Sequence, residues 1–393
     1  MSGINITKDK RIIVKCTACN SCVVSCHKKA LTLRQNQEGF FYPVINEDLC
    51  NECKACISVC PVIKKSVHNT LVKKLIFTGY SRSDYMRQSG SSGGIFPELA
   101  QHIIRNNGVV YGVKFDSNEQ RMVYAGTNSV SVETLYKSKY VEAYDPDTFL
   151  SVKEQLLAGR KVLYCGTPCK IDGLKRFLGK EYPTLFTIDF MCHGKPSSRF
   201  LSEVICEEEK KLPTGKCVNV TFREKKKGWR NQTHVFYDAE GNELVYDSAN
   251  YYYYFYFLHN YSIRRSCVKC SYYKNHLSDI TLADYWSVSC KKDDDKGYSL
   301  VVVNTEKGYE LLQKIQGKIT LEEDINALSN IGIYAHSKRK GYYTKKREIF
   351  YEEYRQKGIE YIKGEGFKRF IGLDEKYASI TAKLIRIAKQ IKK

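Results

Sequence analysis

Residues 16–26 read CTACNSCVVSC and residues 50–61 read CNECKACISVCP. In each stretch three cysteines are separated by two residues, and a fourth cysteine follows after three more residues. Three thiolates at this spacing can bind three irons of one cubane cluster, while the fourth cysteine reaches the neighbouring cluster. The pattern therefore predicts two 4Fe-4S clusters, one held by Cys16, Cys19, Cys22 and Cys60, and the other by Cys50, Cys53, Cys56 and Cys26.

Two zinc sites are the alternative for these eight cysteines. Structural zinc usually takes paired C-x2-C units, in which a third cysteine at the same spacing has no ligand role. Residues 8–64 instead resemble bacterial-type ferredoxins, including the segment GFFYPVINEDLC (39–50) that leads into the second cysteine loop. The resemblance implies an α+β, ferredoxin-like module that carries electrons one at a time.

The length and composition indicate more than this module. A chain of 393 residues is expected to form two or three domains, and 42% hydrophobic with 27% charged residues is ordinary globular usage. The start, MSGINITKDK, lacks the order of a signal peptide, and no apolar run approaches the length of a membrane span. We therefore expect a cytoplasmic protein that is not integral to a membrane, in which the 16 cysteines serve mainly as metal ligands.

The formal net charge of +20 favours anionic partners. Three clusters at roughly −2 each would lower this charge to about +14. Basic segments occur at 222–230 (FREKKKGWR) and 337–347 (SKRKGYYTKKR), and residues 376–393 predict an amphipathic helix with Ile380, Leu384, Ile387 and Ile391 on one face. No nucleic-acid reader motif accompanies the two basic segments, which solvated loops or a dock for an acidic partner explain as well. For the terminal helix, docking on the protein's own body or on an acidic electron-transfer partner is favoured over a lipid surface.

Beyond residue 71 the pattern changes to alternating strands and helices, which predicts an α/β body with a mixed sheet. Strands are expected at 109–115, 122–127, 161–164, 185–190, 280–283 and 300–303. The turn SGSSGG (89–94) runs into a helix that begins near Ile95, and such a helix start can meet a phosphate. An ordinary capped turn is the alternative. We divide the chain into residues 1–70, 71–305 and a helical, basic region at 306–393.

Three loops of the body carry cysteines. They contain Cys165 and Cys169, then Cys192, and later the pair Cys267 and Cys270. Two of the loops follow predicted strands, and ligands of open α/β sheets gather at the carboxyl ends of strands. The sequence thus predicts that the three loops converge. Cys206 and Cys217 have no partner spacing and are expected to be plain buried residues, while Cys290 stays unassigned.

The body resembles the beta subunits of the coenzyme F420 (deazaflavin) hydrogenase/dehydrogenase family from about residue 78 to residue 303. The motifs that carry the resemblance are SGSSGGIF (89–96), SKYVEA (138–143), YCGTPCKIDGL (164–174), IDFMCHGKPS (188–197) and IRRSCVKCSYYKNHLSDITLADYW (263–286). The resemblance implies FAD, a further 4Fe-4S cluster and a hydride-accepting cofactor that docks against the flavin.

The resemblance also implies site residues. Cys169, Cys192, Cys267 and Cys270 match the cysteine motifs and are the predicted ligands of the third cluster, with Cys165 as a competitor of Cys169. His193 is a candidate ligand or flavin donor, with a structural role as the alternative. The predicted flavin contacts are Ser91, Ser92, Gly93, Gly94, Lys139, Tyr140, Gly166 and Thr167.

The aromatic run YYYYFYF (251–257) could stack on a flavin ring, but helical spacing places Tyr253, Phe257 and Tyr261 on one face, which favours core packing. Altogether the sequence predicts an iron–sulfur flavoprotein oxidoreductase that passes single electrons through clusters to FAD and exchanges a hydride with a soluble carrier or organic substrate. The alternative is an electron-transfer subunit that docks a partner enzyme without hydride chemistry of its own. The identity of the two-electron substrate and the direction of electron flow stay open.

Overall fold

The computed structural model describes residues 6–64, 74–145, 147–288, 293–330 and 340–375. The predicted amphipathic helix within 376–393, Cys290 and the first residues of the basic segment at 337–347 lie outside these described residues. We refer to residues 6–64 as the N-terminal module and to the described residues from 74 onward as the body.

The described residues form thirteen strands, thirteen α-helices that are numbered here, and a further helical segment at residues 365–375. The strands are β1 (Leu31–Gln35), β2 (Phe41–Ile45), β3 (Leu75–Ser81), β4 (Val109–Asp116), β5 (Arg121–Thr127), β6 (Val162–Cys165), β7 (Leu185–Phe190), β8 (Asn219–Glu224), β9 (Thr233–Tyr237), β10 (Glu243–Asp247), β11 (Ile280–Asp284), β12 (Ser299–Val303) and β13 (Ile319–Glu323). The helices are α1 (Lys10–Lys15), α2 (Ser21–Val24), α3 (Ala55–Ser58), α4 (Asp84–Ser89), α5 (Ile95–Arg105), α6 (Thr148–Leu157), α7 (Pro168–Leu178), α8 (Ser198–Glu209), α9 (Tyr252–Leu258), α10 (Arg265–Val268), α11 (Glu306–Gln313), α12 (Ala327–Asn330) and α13 (Lys340–Lys363).

The N-terminal module combines one hairpin with short helices. Strands β1 and β2 pair antiparallel, with Leu31 opposite Ile45 and Gln35 opposite Phe41. Helices α2 and α3 are single turns that each begin two residues after the second cysteine of a loop, at Ser21 and Ala55. The core of the module contains Ile6, Ile12 and Leu31 together with buried cysteines. The module is therefore built around its thiols, with few aliphatic side chains to hold it.

An eight-stranded mixed sheet organises the body in the order β13-β3-β12-β11-β7-β6-β4-β5. The four central strands β4, β6, β7 and β11 are parallel to their neighbours in this group, and the outer strands pair antiparallel. All six strands predicted for the body are present, with bounds that agree within a residue. The mixed α/β architecture is thereby confirmed.

Helices cover both faces of this sheet. On one face, α5 and α11 contribute Ile95, Leu99 and Leu311 to a cluster with Ile188 and Val301 of the strands. On the other face, α6 and α7 pack Phe149, Ile171 and Leu174 against Tyr164. This three-layer arrangement holds β6 and β7 side by side, so that the loops after them leave the sheet at one edge.

A second unit of the body is rich in aromatic side chains. The three-stranded sheet β10-β9-β8 and helices α8, α9 and α13 share a cluster that includes Phe200, Phe222, Tyr253 and Phe350. Helix α13 contains a kink at Gly358, where φ is 72°, and residues 365–375 are again helical. The predicted helical region after residue 305 also contributes β13, which pairs with β3 at the edge of the large sheet. The division into three domains stays a prediction.

The N-terminal module contacts the body through α7. The Ser21 hydroxyl donates to the Gly173 carbonyl oxygen at 2.7 Å, and the Asn20 side chain donates to the Asp145 carbonyl oxygen. A Cβ atom added at Gly173 would lie 2.7 Å from the Cys19 Cβ and 2.7 Å from the Ser21 Oγ. Glycine is therefore required at this position so that the first cysteine loop can approach the helix.

Replacing Gly173 with valine is expected to destabilise this junction by about 1–3 kcal/mol, because the side chain overpacks it. Gly317→Val is the matched control, since a Cβ atom at Gly317 meets nothing within 4 Å and the backbone there has no positive φ. The measurement is denaturant unfolding followed through the iron–sulfur absorbance. Equal unfolding midpoints for the two variants would contradict the close approach.

Candidate redox centres

The structure groups the first eight cysteines as two quartets. One small cavity of the N-terminal module is lined by Cys16, Cys19, Cys22 and Cys60, and a second by Cys26, Cys50, Cys53 and Cys56. Each quartet takes three cysteines from one loop and the fourth from the other, which is the crossed arrangement predicted from the spacing. We call the first quartet the inner quartet, because its loop faces the body, and the second the outer quartet.

The two quartets differ in exposure. The four inner thiols are buried, whereas Cys53 of the outer quartet is exposed and Cys26, Cys50 and Cys56 are partly exposed. Burial, followed by repulsion from the other inner thiolates and Cys56, raises the pKa of Cys22 well above its usual range. Four thiolates in so small a space need a cationic metal core to compensate their charge, so this donor set fits an iron–sulfur cluster.

A third quartet lies in the body at the edge of the large sheet. Burial, then the thiolates of Cys267, Cys169 and Cys270, raise the pKa of Cys192 well above its usual range. Burial also raises the pKa of Cys270 to about 12, with Cys267 and Cys169 adding to the shift. These mutual effects indicate that the structure brings the four predicted cysteines together from α7, the loop after β7, α10 and the residues that follow α10.

Cys165 stands apart from this quartet. Burial raises the pKa of the Cys165 thiol to about 12, with Asp189 adding to the shift and Lys139 opposing it, and no quartet thiol contributes. Cys169 lies one turn further along, in α7, and its Sγ is 3.2 Å from the Thr167 hydroxyl. The geometry therefore favours Cys169 over Cys165 as the fourth thiol.

No three His, Cys, Asp or Glu side chains in the described parts of the chain are close enough to hold a single metal ion. A cubane cluster holds its four thiolates farther apart than a single metal ion does. The assignment of the three quartets as cluster ligands is a proposal.

A cavity of about 660 Å³ opens beside the third quartet. Its size lies within the range of small-molecule and cofactor sites. Seven of the eight predicted flavin contacts line it: Ser91, Ser92, Gly94, Lys139, Tyr140, Gly166 and Thr167. Three quartet cysteines, Cys192, Cys267 and Cys270, also line it, so a cofactor in this cavity would lie against the third quartet.

Gly93 does not line the cavity and has a structural role. A Cβ atom there would lie 2.5 Å from the Gly79 carbonyl oxygen, and the Gly93 N–H donates to the Ser299 hydroxyl at 2.9 Å. The Ser92 hydroxyl donates to the Tyr298 carbonyl oxygen at 2.7 Å. The turn is thus anchored on β12 and the residue before it, and the Ser92 hydroxyl proton is used in this anchor.

Gly94 forms the start of α5. Its φ is 82°, and a Cβ atom would lie 2.7 Å from the Met86 carbonyl oxygen. The first N–H groups of an α-helix have no partner within the helix, and they attract anions. Because Gly94, Ile95 and Phe96 line the cavity, a diphosphate can meet these N–H groups there.

The motifs SGSSGGIF and SKYVEA meet at this turn. The Ser91 hydroxyl accepts hydrogen bonds from the Ser138 N–H at 2.7 Å and the Ser138 hydroxyl at 3.0 Å. Next to Ser138, Lys139 is half-buried, and its ammonium donates to the carbonyl oxygens of Thr134 and Tyr136. Burial lowers the pKa of Lys139 to about 7, against the opposing effect of Cys165. An anionic cofactor beside Lys139 would favour its protonated form.

The opposite wall of the cavity is formed by residues that were not predicted from the sequence. Arg223 is buried and lines the cavity, and it forms an ion pair with Asp284, while its Nε atom has no partner among the described residues. Trp286 also lines the cavity and stacks on the buried Trp229, with 4.3 Å between ring centroids. Lys225 donates to the carbonyl oxygens of Ser92, Arg87 and Lys296, which fixes the Ser-Gly turn from the rear. Arg223, Lys225 and Trp229 belong to the basic segment at 222–230, and Trp286 is the last residue of the motif at 263–286.

The aromatic run packs mainly as core, as expected. Tyr253 is fully buried and its hydroxyl donates to the Tyr140 carbonyl oxygen at 2.7 Å. Tyr256 is also fully buried and donates to the Ile362 carbonyl oxygen. Tyr254 and Phe257 additionally line the cavity, so one side of the run faces the candidate cofactor site. His193 lines the cavity as well, 5.0 Å from the Phe257 ring.

The expectation that Cys206 and Cys217 are buried is wrong for Cys206. Cys217 is fully buried, but Cys206 is exposed. Cys206 lies in α8, whose buried face presents Phe200, Leu201 and Val204. It therefore falls on the outer face of that helix, which the isolated cysteine in the sequence did not indicate.

Family models match both parts of the chain. Residues 15–63 match the 4Fe-4S dicluster domain, and residues 159–326 match the C terminus of the coenzyme F420 hydrogenase/dehydrogenase beta subunit. The chain therefore carries an iron–sulfur domain next to a domain that is similar to subunits of oxidoreductases. It thus carries a C-terminal domain of the coenzyme F420 hydrogenase/dehydrogenase beta-subunit type, with a 4Fe-4S dicluster domain ahead of it. Both resemblances noted in the sequence are confirmed.

Two curated relatives match most of the chain. The coenzyme F420-dependent sulfite reductase of Methanocaldococcus jannaschii is 23% identical over 325 residues, which cover 79% of this chain and 47% of that protein. A subunit of the F(420)H(2) dehydrogenase of Methanosarcina mazei is 20% identical over 338 residues, covering 83% and 90% respectively. The chain thus spans about half the length of the sulfite reductase.

Among solved structures, the F420-reducing [NiFe] hydrogenase complex from Methanosarcina barkeri contains a similar chain, with a TM-score of 0.45 and 14% identity over 74% of this chain and 95% of that one. Within the described residues, no helix has the length and apolar character needed to cross a bilayer.

Proposed function

We propose that this chain is an iron–sulfur flavoprotein that conducts single electrons through three 4Fe-4S clusters to FAD and exchanges a hydride with a soluble two-electron carrier. The observation that carries the proposal is the shared wall between the third cysteine quartet and the large cavity. Cys192, Cys267 and Cys270 line that cavity together with the Ser-Gly turn. Metal and flavin would therefore lie close together, which favours electron transfer between them.

The order of the centres follows from their positions. The outer quartet is more exposed than the inner quartet and would exchange electrons with a partner protein. The inner quartet faces the body, where a small cavity lined by Thr17, Cys19 and Cys169 lies between it and the third quartet. The flavin cavity adjoins the third quartet. This order gives one continuous path through the chain.

Different residues of the cavity would bind different parts of FAD. The N–H groups at the start of α5 and the side chain of Lys139 would hold the diphosphate, and the loop of Gly166 and Thr167 would approach the ring system. When bound, a flavin supplies the exchange between one-electron and two-electron steps. Arg223, Tyr254 and Trp286 leave an apolar and cationic wall for the ring of a hydride carrier. The family match supports a deazaflavin as the first carrier to test.

The experiment is an anaerobic reduction assay on the purified full-length chain. Dithionite or a reduced ferredoxin supplies electrons, and absorbance follows bleaching of bound flavin and reduction of added deazaflavin, NAD⁺ or NADP⁺. We expect flavin bleaching followed by reduction of one of these carriers. A chain that contains its clusters but neither holds nor takes up flavin would contradict the hydride step and leave an electron-transfer subunit.

A further inference from the structure

Three cations with little or no exposed surface lie at the junction between the inner quartet and the body. The Arg264 Nε donates to the Cys16 carbonyl oxygen at 2.7 Å, the Lys195 Nζ to the Thr17 carbonyl oxygen at 2.7 Å, and the Lys170 Nζ to the Cys19 carbonyl oxygen at 3.0 Å. All three thus contact the loop that carries the first two inner cysteines.

These cations also face the third quartet. The Lys195 ammonium interacts electrostatically with Cys169 and Cys267, and the Arg264 guanidinium with Cys16 and Cys267. Lys170 is adjacent in sequence to Cys169. The three cations therefore lie between the two groups of thiols, where a charge acts on both.

Burial strengthens their effect. Arg264 has no exposed surface and Lys170 is 4% exposed, so water screens their charges weakly. Lys170 lies against the rings of Tyr124 and Phe149, with its Nζ 4.8 Å and 4.6 Å from the two centroids. Arg264 lies 4.1 Å from the centroid of Tyr42. Aromatic walls keep these cations in place without neutralising them.

The carboxylates at the junction compensate only part of this charge. Glu142 pairs with Arg264 at 2.7 Å and lies 3.7 Å from Lys195, and Asp145 pairs with Lys170 at 2.5 Å. Two neighbouring pairs, Arg176 with Asp172 and Arg347 with Glu38, are balanced in themselves. In the described part of the junction, three cations thus face two carboxylates, and a positive excess is directed at the inner thiols.

Such an excess has a definite consequence for a cluster. A reduced 4Fe-4S cluster with four thiolates is more negative by one charge than the oxidised form, and burial makes that charge costly. Nearby cations and hydrogen bonds favour the reduced form and raise the potential. The outer quartet is partly exposed and gains this help from water instead.

We propose that Lys170, Lys195 and Arg264 form a redox-tuning trio that raises the reduction potential of the inner cluster, so that this buried cluster can exchange electrons with both the exposed outer cluster and the third one. The trio acts through the clusters and is not itself a reaction partner. The inference rests on the proposed clusters and is independent of flavin.

The test is an EPR-monitored redox titration of the anaerobic full-length chain, with Cys19→Ser used to identify the inner-cluster signal. Lys170→Met is expected to shift the electron partition between the inner and outer clusters about tenfold toward the outer cluster, which is about 59 mV for one electron. Lys170→Arg, which keeps the charge, is expected to restore most of the partition.

Lys54→Met is the matched control. Lys54 is exposed and lines the cavity of the outer quartet, so the same change of residue beside a cluster should alter the partition less than about threefold, because solvent screens the lost charge. Asp145→Asn removes a carboxylate and is expected to move the inner potential in the opposite direction.

Two results would overturn the proposal. One is an unchanged partition in Lys170→Met with full iron content. The other is a reduction potential of the inner cluster that falls or stays constant in Asp145→Asn. This second result is decisive even if Lys170→Met loses iron. A wild-type chain with no inner-cluster signal would instead refute the cluster assignment itself.

Discussion

Replacing Cys267 with serine is expected to lower the iron content from about 12 to about 8 atoms per chain, because one cubane loses a ligand while two are untouched. Cys267 lies within the third quartet, and Cys169 is the thiolate that most raises the pKa of Cys267. The N-terminal module contributes no ligand to that quartet, so its EPR signals should persist. Electrons from the module should then no longer bleach the flavin. The third cluster, which would connect the module with the flavin, is lost in this variant.

Cys165→Ser is the matched control for this variant. Cys165, like Cys267, is a partly exposed cysteine on the cavity wall, but no quartet thiol acts on it. We expect about 12 iron atoms to remain in Cys165→Ser. The assignment would be wrong if Cys165→Ser lost about 4 iron atoms and Cys169→Ser lost none.

Replacing Gly94 with valine is expected to abolish flavin binding, with less than about a tenth of the wild-type flavin retained. The added Cβ would lie 2.7 Å from the Met86 carbonyl oxygen, and a φ of 82° is unfavourable for a β-branched residue. The start of α5 must therefore shift, which removes the N–H groups that would meet the diphosphate. The measurement is flavin released per chain, together with iron content.

Gly159→Val separates this local effect from backbone strain. Gly159 also has a positive φ, of 72°, but a Cβ atom there meets nothing within 4 Å. Gly159→Val should therefore share most of the cost of placing valine at a positive φ, and it should keep its flavin. Loss of iron as well as flavin in Gly94→Val would indicate general unfolding, whereas full flavin content would refute the phosphate role of this turn.

The sequence was most informative where the chemistry of a residue type is restrictive. Only the cysteine spacing was needed to predict the crossed inner and outer quartets, because few structures place three thiols two residues apart. Largely apolar runs such as 109–115 predicted the strands of the large sheet because buried parallel strands are almost continuously hydrophobic. The Ser-Gly turn was located correctly, since positive φ at a helix start selects glycine.

Other parts of the site depend on contacts that no local pattern encodes. Arg223 and Trp286 are separated by more than 60 residues and meet only because β8 and β11 lie near each other in the fold. Lys170, Lys195 and Arg264 belong to three motifs that were noted for their cysteines. Their common role becomes visible only when the N-terminal module is placed against the body. Strand β13 was missed because it is short and amphipathic, with Glu322 and Glu323 at its end.

The most direct test of the account is the cofactor content of the wild-type chain after anaerobic purification. Iron, acid-labile sulfide and released flavin are quantified on one sample, and the flavin is identified by its mass. We expect about 12 iron atoms, about 12 sulfides and one noncovalently bound FAD per chain. About 8 iron atoms with no flavin, unchanged after reconstitution, would contradict it, because the third quartet and the adjoining cavity would then hold neither cofactor.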